Sequence, residues 1–167
     1  TIYQAKMKCP NLKIFSPNHE IYQRKSKQLM NYLKTFTPIM EQFSIDECFL
    51  DMTGTKYLYA NHLELAYKIK DEIKEKFGFT VNVGIGNNKL CAKMASDFEK
   101  PDKVHTLFPD EIPIKMWPLP VRDLLFLGKA SEKKLTEAGI HTIGDMAHSS
   151  EAEIQRLLGN KAGHQLY

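Results

Sequence analysis

Two spacings of apolar residues alternate along this chain, and the switches between them mark out its elements. Over residues 61–77, Leu65, Ala66, Ile69, Ile73 and Phe77 fall on one helical face, with Lys68, Lys70 and Lys74 mostly on others. Gly78 stands where a helix ends in a left-handed residue. Strict alternation follows: Phe79, Val81, Val83 and Ile85 against Thr80, Asn82, Gly84 and Gly86, which predicts a half-buried strand. Its second face is nearly bare at the two glycines, so another backbone, or a ligand, can approach there. Asn87 or Asn88 caps a helix to about Phe98, with Leu90, Cys91, Met94 and Phe98 toward the core. Lys89, Lys93 and Ser96 lie opposite, and Lys100 projects the same way at the helix exit set by Pro101. Val104–Leu107 makes a short strand.

Upstream, residues 1–17 read as irregular chain apart from a short apolar run at Leu12–Phe15. Asn18 caps a helix to about Lys34, with Ile21, Tyr22, Leu29, Tyr32 and Leu33 as core candidates. Pro38 starts a strand running through Phe43 and Ile45. Cys48–Met52 returns as its hairpin partner, and Thr53-Gly54-Thr55 closes the unit. Downstream, Pro109, Pro113, Pro118 and Pro120 are too dense for regular structure and mark a domain boundary. Beyond them come short helices: Val121–Leu125, one capped by Ser131 and ending at Gly139, a single turn from Thr142 to Met146, one opened by the box Ser150-Glu151-Ala152-Glu153, and a last one from near Asn160. Residues 1–112 thus read as an α+β domain, a mixed β-sheet with helices packed on one face, and residues 113–167 as a small all-α domain.

Composition changes this picture little. The 167 residues carry a net charge of +3, so a nucleic-acid partner must be argued from local clusters, not from global charge. Three scattered cysteines exclude a disulfide framework and a cysteine zinc site, and a reducing cytoplasm fits them best. No apolar run is long enough to span a bilayer, so no membrane partner is expected. Thr1 at the start and Tyr167 in apparent mid-helix suggest a piece of a longer protein.

The candidate chemistry sits at Asp46-Glu47. Neighbouring side chains on a strand point to opposite faces, so both serve one site only where the strand turns, as at a hairpin apex. There the pair is either a solvated acidic turn or a seat for Mg²⁺, a hard cation that takes oxygen ligands. The lysine stripe of 89, 93 and 100 is either a solvated face or an anion contact. Leu127-Gly128-Lys129 followed by Ser131 and Lys133 reads as a helix-hairpin-helix, a motif that grips nucleic-acid backbone through turn amides; an ordinary αα-hairpin is the alternative.

Ser44-Ile45-Asp46-Glu47-Cys48-Phe49-Leu50-Asp51-Met52-Thr53-Gly54 closely resembles the second metal-binding motif of Y-family (DinB/UmuC-type) translesion DNA polymerases. So does Val83-Gly84-Ile85-Gly86-Asn87-Asn88-Lys89-Leu90-Cys91-Ala92-Lys93-Met94-Ala95-Ser96-Asp97 with Lys100-Pro101, and the stretch from Leu119-Pro120-Val121-Arg122 to Ala147 is similar to that family's thumb. The resemblance implies a palm over residues 1–112, with 1–17 as the end of the fingers, and a truncated thumb over 113–167. It implies Asp46 as the ligand shared by two Mg²⁺ ions, Glu47 as the ligand of the ion that activates the primer 3′-hydroxyl, and Lys100 as the triphosphate contact. Lys89 and Lys93 become nucleotide or nucleic-acid contacts in that reading, balanced against plain surface charge, while Gly128, Lys129, Ser131 and Lys133 hold the DNA backbone. Asp51 shapes the hairpin and does not bind metal.

The implied activity is two-Mg²⁺ nucleotidyl transfer from dNTP to primer–template DNA in damage tolerance and the SOS response. A sliding clamp or a recombinase filament would be engaged through regions outside the chain. The family's first metal-binding Asp, its steric-gate aromatic and most of its fingers would precede Thr1. The chain alone is therefore expected to bind Mg²⁺ weakly or not at all and to be inactive. Phe126 stands where the hairpin usually has its first glycine, and weaker thumb–DNA contact follows. A nucleotidyl-cyclase-like palm and a non-catalytic DNA-binding module remain as competing readings.

Overall fold

The computed structural model describes residues 1–166, and the expected mid-helix position of Tyr167 lies outside them. Residues Thr1–Thr55 form one compact unit, and the chain from Lys56 on forms another.

In the first unit the opening segment is a helix, α1 (Ile2–Lys8), where irregular chain was expected. A reciprocal box creates it: the Gln4 amide donates to Thr1 Oγ1 (3.2 Å), and the Thr1 amino group donates to Gln4 Oε1 (3.0 Å). α2 (His19–Leu33) begins at Asn18, whose Oδ1 accepts from the Ile21 amide at 3.2 Å. Burial is concentrated in its last turns at Leu29, Met30 and Leu33, so the expected core residues Ile21 and Tyr22 stay exposed. Strands β1 (Met40–Gln42) and β2 (Cys48–Leu50) pair antiparallel, with Gln42 opposite Cys48. They are shorter than the sequence pattern suggests because the backbone turns at Phe43. The Phe43 and Ser44 amides both donate to the Glu47 carbonyl, at 2.9 and 3.1 Å.

In the second unit α3 (His62–Phe77) is capped by Asn61 and ends at Gly78 with φ of 74°, a left-handed residue as expected. Lys70, expected on a solvated face, is buried instead. Its ammonium reaches Asp71 at 2.6 Å and Asp102 at 3.0 Å, and Lys74 meets the other oxygen of Asp102 at 2.7 Å. The covered side chain ends in ion pairs at the surface, one of them to a residue 32 positions away.

Strand β3 (Val83–Gly86) pairs in parallel with β4 (Val104–Leu107), and α4 (Lys89–Asp97) crosses between them from its cap at Asn88. The α+β class is thus observed, and the antiparallel and parallel pairings each occur as a two-stranded sheet. The bare glycines admit a backbone, not a ligand. A Cβ on Gly84 would lie 1.9 Å from the Ala92 carbonyl oxygen, and one on Gly86 would lie 2.7 Å from the Ala92 amide. Because β3 presses so closely on Ala92 and Ser96, the α4 face expected in solvent is partly buried, while Leu90, expected inside, is exposed.

One buried cluster holds this unit together, joining Cys91, Met94, Ala95 and Leu107 to Met116, Val121, Leu124, Leu135, Ile140, Ile143, Met146 and Ile154. The proline-dense stretch contains a short helix, α5 (Ile112–Lys115), where none was expected; Pro113 sits in its first turn, where a missing N–H costs nothing. After a 3₁₀ turn (Val121–Asp123) come α6 (Lys129–Glu137), α7 (Ile143–His148), α8 (Glu151–Leu158) and α9 (Asn160–Leu166). Thr142 and Asp145 cap α7 reciprocally, and Ser150 caps α8.

Candidate active site

The hairpin between β1 and β2 presents Asp46 and Glu47 at its apex, within the five-residue connection 43–47. Side chains stiffen the turn. Ser44 Oγ donates to Asp46 Oδ1 at 2.7 Å, Gln42 Nε2 donates to the Ser44 carbonyl at 2.9 Å, and the rings of Phe43 and Phe49 meet edge to face at 5.6 Å. Asp46 is exposed and Glu47 half-buried. Asp51 is engaged with the backbone: the Thr53 amide donates to its Oδ1 at 2.9 Å and holds its carboxyl below the usual carboxylate range. Burial pushes the neighbouring Cys48 thiol up to about 11.

Two carboxylates on a stiff turn suit a hard cation in donor type. They fill only part of its coordination shell, and among the described residues no group of three or more His, Cys, Asp or Glu side chains is gathered for a metal.

The lysines belong to the second unit. Lys89 is exposed in the first turn of α4, one turn before Lys93. Lys93 and Lys100 are brought together by a residue the sequence reading passed over, Asp97, whose two oxygens lie 2.9 Å from Lys93 Nζ and 2.6 Å from Lys100 Nζ. The turn carrying Lys100 is pinned by another overlooked side chain. Asn82 Nδ2 donates to the carbonyls of Ser96 (3.0 Å) and Glu99 (2.8 Å), and Asn82 Oδ1 accepts from the Lys103 amide (3.1 Å).

Farther on, α6 begins at Gly128 with no side-chain cap, three residues before the expected cap at Ser131. The chain is already turned at Phe126, whose φ of 69° lies in the left-handed region, so helical geometry can start at Lys129 and leaves Ser131 inside the first turn. A φ of that sign is costly for a bulky residue, yet Phe126 remains 63% exposed. Gly128 and Lys129 are exposed beside the uncapped helix start, where amides and dipole favour an anion. Lys133 is exposed one turn on, loosely paired with Glu137 at 3.8 Å, a contact of little energetic weight.

Residues 1–97 match the model of the impB/mucB/samB family. The chain belongs to that family. Residues 122–167 match a second model, described as the thumb domain of DNA polymerase-iota. Among curated relatives, the chain is 50% identical over 147 residues to a DNA polymerase IV of Clostridium acetobutylicum, covering 88% of this chain and 37% of that protein. It is 42% identical over 168 residues to a DNA polymerase IV of Pelotomaculum thermopropionicum, covering all of this chain and 41% of that one. The chain therefore spans about two-fifths of the length of these relatives. Among solved structures, DinB from Sulfolobus solfataricus matches with a TM-score of 0.87 at 30% identity, over 99% of this chain and 49% of that one. An insertion ternary complex of Dbh DNA polymerase matches with a TM-score of 0.89 at 31% identity, over 99% and 48%. The impB/mucB/samB assignment and these neighbours show the Y-family resemblance to be membership, with the palm-and-thumb type of fold. No helix among the described residues is long and apolar enough to cross a membrane.

Proposed function

We propose that the complete protein is a template-directed, error-prone translesion DNA polymerase that adds deoxynucleotides to a primer 3′-hydroxyl. The observation that carries this reading is the adjacent pair Asp46-Glu47 at the apex of a stiffened hairpin, in a chain of the impB/mucB/samB family. In this assignment residues 1–112 are palm and 113–167 thumb, supported by family matches that end at 97 and resume at 122. Asp46 and Glu47 would hold Mg²⁺, which would supply charge compensation for phosphoryl transfer. Lys100 orients the dNTP through its triphosphate, with Lys93 and Lys89 adding positive charge nearby on α4. Gly128, Lys129, Ser131 and Lys133 hold the DNA backbone without reading sequence, the amides at the α6 start receiving a phosphate.

Residues 1–167 alone are inactive in this account, because two adjacent carboxylates, with no third ligand gathered beside them among the described residues, are too few to hold a pair of Mg²⁺ ions. The complete protein works in the cytoplasm in damage tolerance, under the SOS response. A clamp or recombinase filament would recruit it through other regions.

The test is incorporation by the complete protein with Mg²⁺ and primer–template DNA. Each added nucleotide is expected to pair with the template base, and omitting template is expected to stop the reaction. Cyclic dinucleotide formed from nucleoside triphosphates without template would instead establish a cyclase.

A further inference from the structure

We infer that Asp97 is a positioning residue for nucleotide recognition, fixing the Lys100 ammonium at the exit of α4 while neutralising Lys93. This rests on the assignment of Lys100 to the triphosphate. The geometry divides the work of one carboxylate. Its Oδ2 takes Lys93 at 2.9 Å, one helical turn back, and its Oδ1 takes Lys100 at 2.6 Å. The Lys93 side chain is only 14% exposed and that of Lys100 58% exposed, so the first is the anchored partner and the second faces solvent.

Two ammonium groups at such range repel unless an anion lies between them. With Asp97 the cluster carries a net single positive charge and remains attractive to a polyphosphate. Lys100 spends one of its three N–H donors on Asp97 and keeps the others for phosphate oxygens.

The backbone around Lys100 is already immobilised. Asn82 ties Ser96, Glu99 and Lys103 together, and Asp102 ties the following turn to Lys70 and Lys74 on α3. What remains free is the long side chain of Lys100, and Asp97 removes that freedom before nucleotide arrives, which reduces the ordering cost at binding. Partial burial pushes the Asp97 carboxyl up. The hydrogen bonds and charges of Lys100 and Lys93 outweigh that effect and hold it below the ordinary carboxylate range, so it is ionised at neutral pH.

The test is a double-mutant cycle in the complete protein, reading KM for the incoming dNTP, kcat and primer–template affinity. Asp97→Asn is expected to raise KM about tenfold, the loss of one charge-assisted anchor. It should leave kcat and DNA affinity within about twofold. Lys100→Ala is expected to raise KM as well, and on that background Asp97→Asn should add less than about twofold. Asp97→Glu, which keeps the charge, should stay within about threefold of the parent. An unchanged KM in Asp97→Asn overturns the inference, as does an equal penalty with and without Lys100 or an Asp97→Glu as impaired as Asp97→Asn. If Lys100→Ala alone leaves KM unchanged, the triphosphate assignment itself fails, and the role of Asp97 falls with it.

Discussion

Replacing Asp46 or Glu47 with alanine is expected to lower primer extension by the complete protein at least about a thousandfold, equivalent to roughly 4 kcal/mol of transition-state stabilisation. The size follows from what the pair is asked to do. In phosphoryl transfer the protein has little covalent chemistry to perform, so positioning and charge compensation carry the rate. Losing a carboxylate from the turn removes a ligand and the local negative charge together. The fold should tolerate both changes. Asp46 is exposed and its one side-chain contact to Ser44 is local, while the backbone bonds that close the turn run from the Phe43 and Ser44 amides to the Glu47 carbonyl and survive either substitution. The thermal midpoint should therefore move by no more than a few degrees. Single-turnover incorporation beside a melting curve checks both halves. Extension within tenfold of the parent in either variant would remove that residue from the metal site.

The second large effect belongs to Gly84. Gly84→Ala in the complete protein is expected to cost about 3 kcal/mol or more. A Cβ there meets the Ala92 carbonyl oxygen at 1.9 Å and the Ser96 amide nitrogen at 2.5 Å, and both are helix backbone, which no rotamer change can move aside. The only relief is to push α4 off β3. That shift would also displace Lys93, Asp97 and the turn bearing Lys100, so activity should fall along with stability. Gly54→Ala is the control: nothing lies within 4 Å of a Cβ there, and a change within about half a kcal/mol is expected. Chemical denaturation of the two variants compares them directly. Equal stability of Gly84→Ala and the parent would contradict the observed β3–α4 packing.

The sequence was most legible where a side chain serves its own neighbourhood. Asn18, Thr142 and Ser150 cap the helices they were expected to cap, the choice between Asn87 and Asn88 falls on Asn88, and Gly78 takes the left-handed conformation. Such signals act within three or four residues and need no tertiary context. By the same logic α1 was within reach, since Thr1 and Gln4 have the spacing of a capping box. Lys93-Asp97-Lys100 likewise has the spacing of ion pairs along a helix and its exit, a signal carried by the acidic residue between the two lysines.

Other features depended on partners far along the chain. Lys70 is buried because Asp102 reaches it, and nothing in the helical pattern of residues 61–77 discloses that. Asn82 sits at what the alternation marks as an open strand position, yet it binds three backbone groups around Lys100. Gly84 and Gly86 announced a close approach, but only the placement of α4 shows that backbone takes the space. Ser131 has the right residue type for a cap and loses the role because the turn at Phe126 starts the helix earlier.

The most direct measurement exchanges one ligand and then the metal. Glu47→Cys replaces a hard oxygen donor with a soft thiolate, which favours Cd²⁺ or Mn²⁺ over Mg²⁺. If Glu47 touches the catalytic ion, the variant-to-parent ratio of primer extension rates in the complete protein should be very low in Mg²⁺. It should then rise at least about tenfold when Cd²⁺ or Mn²⁺ replaces it. A ratio that is the same in all three metals would show that Glu47 does not touch the catalytic ion and would contradict this account of the site.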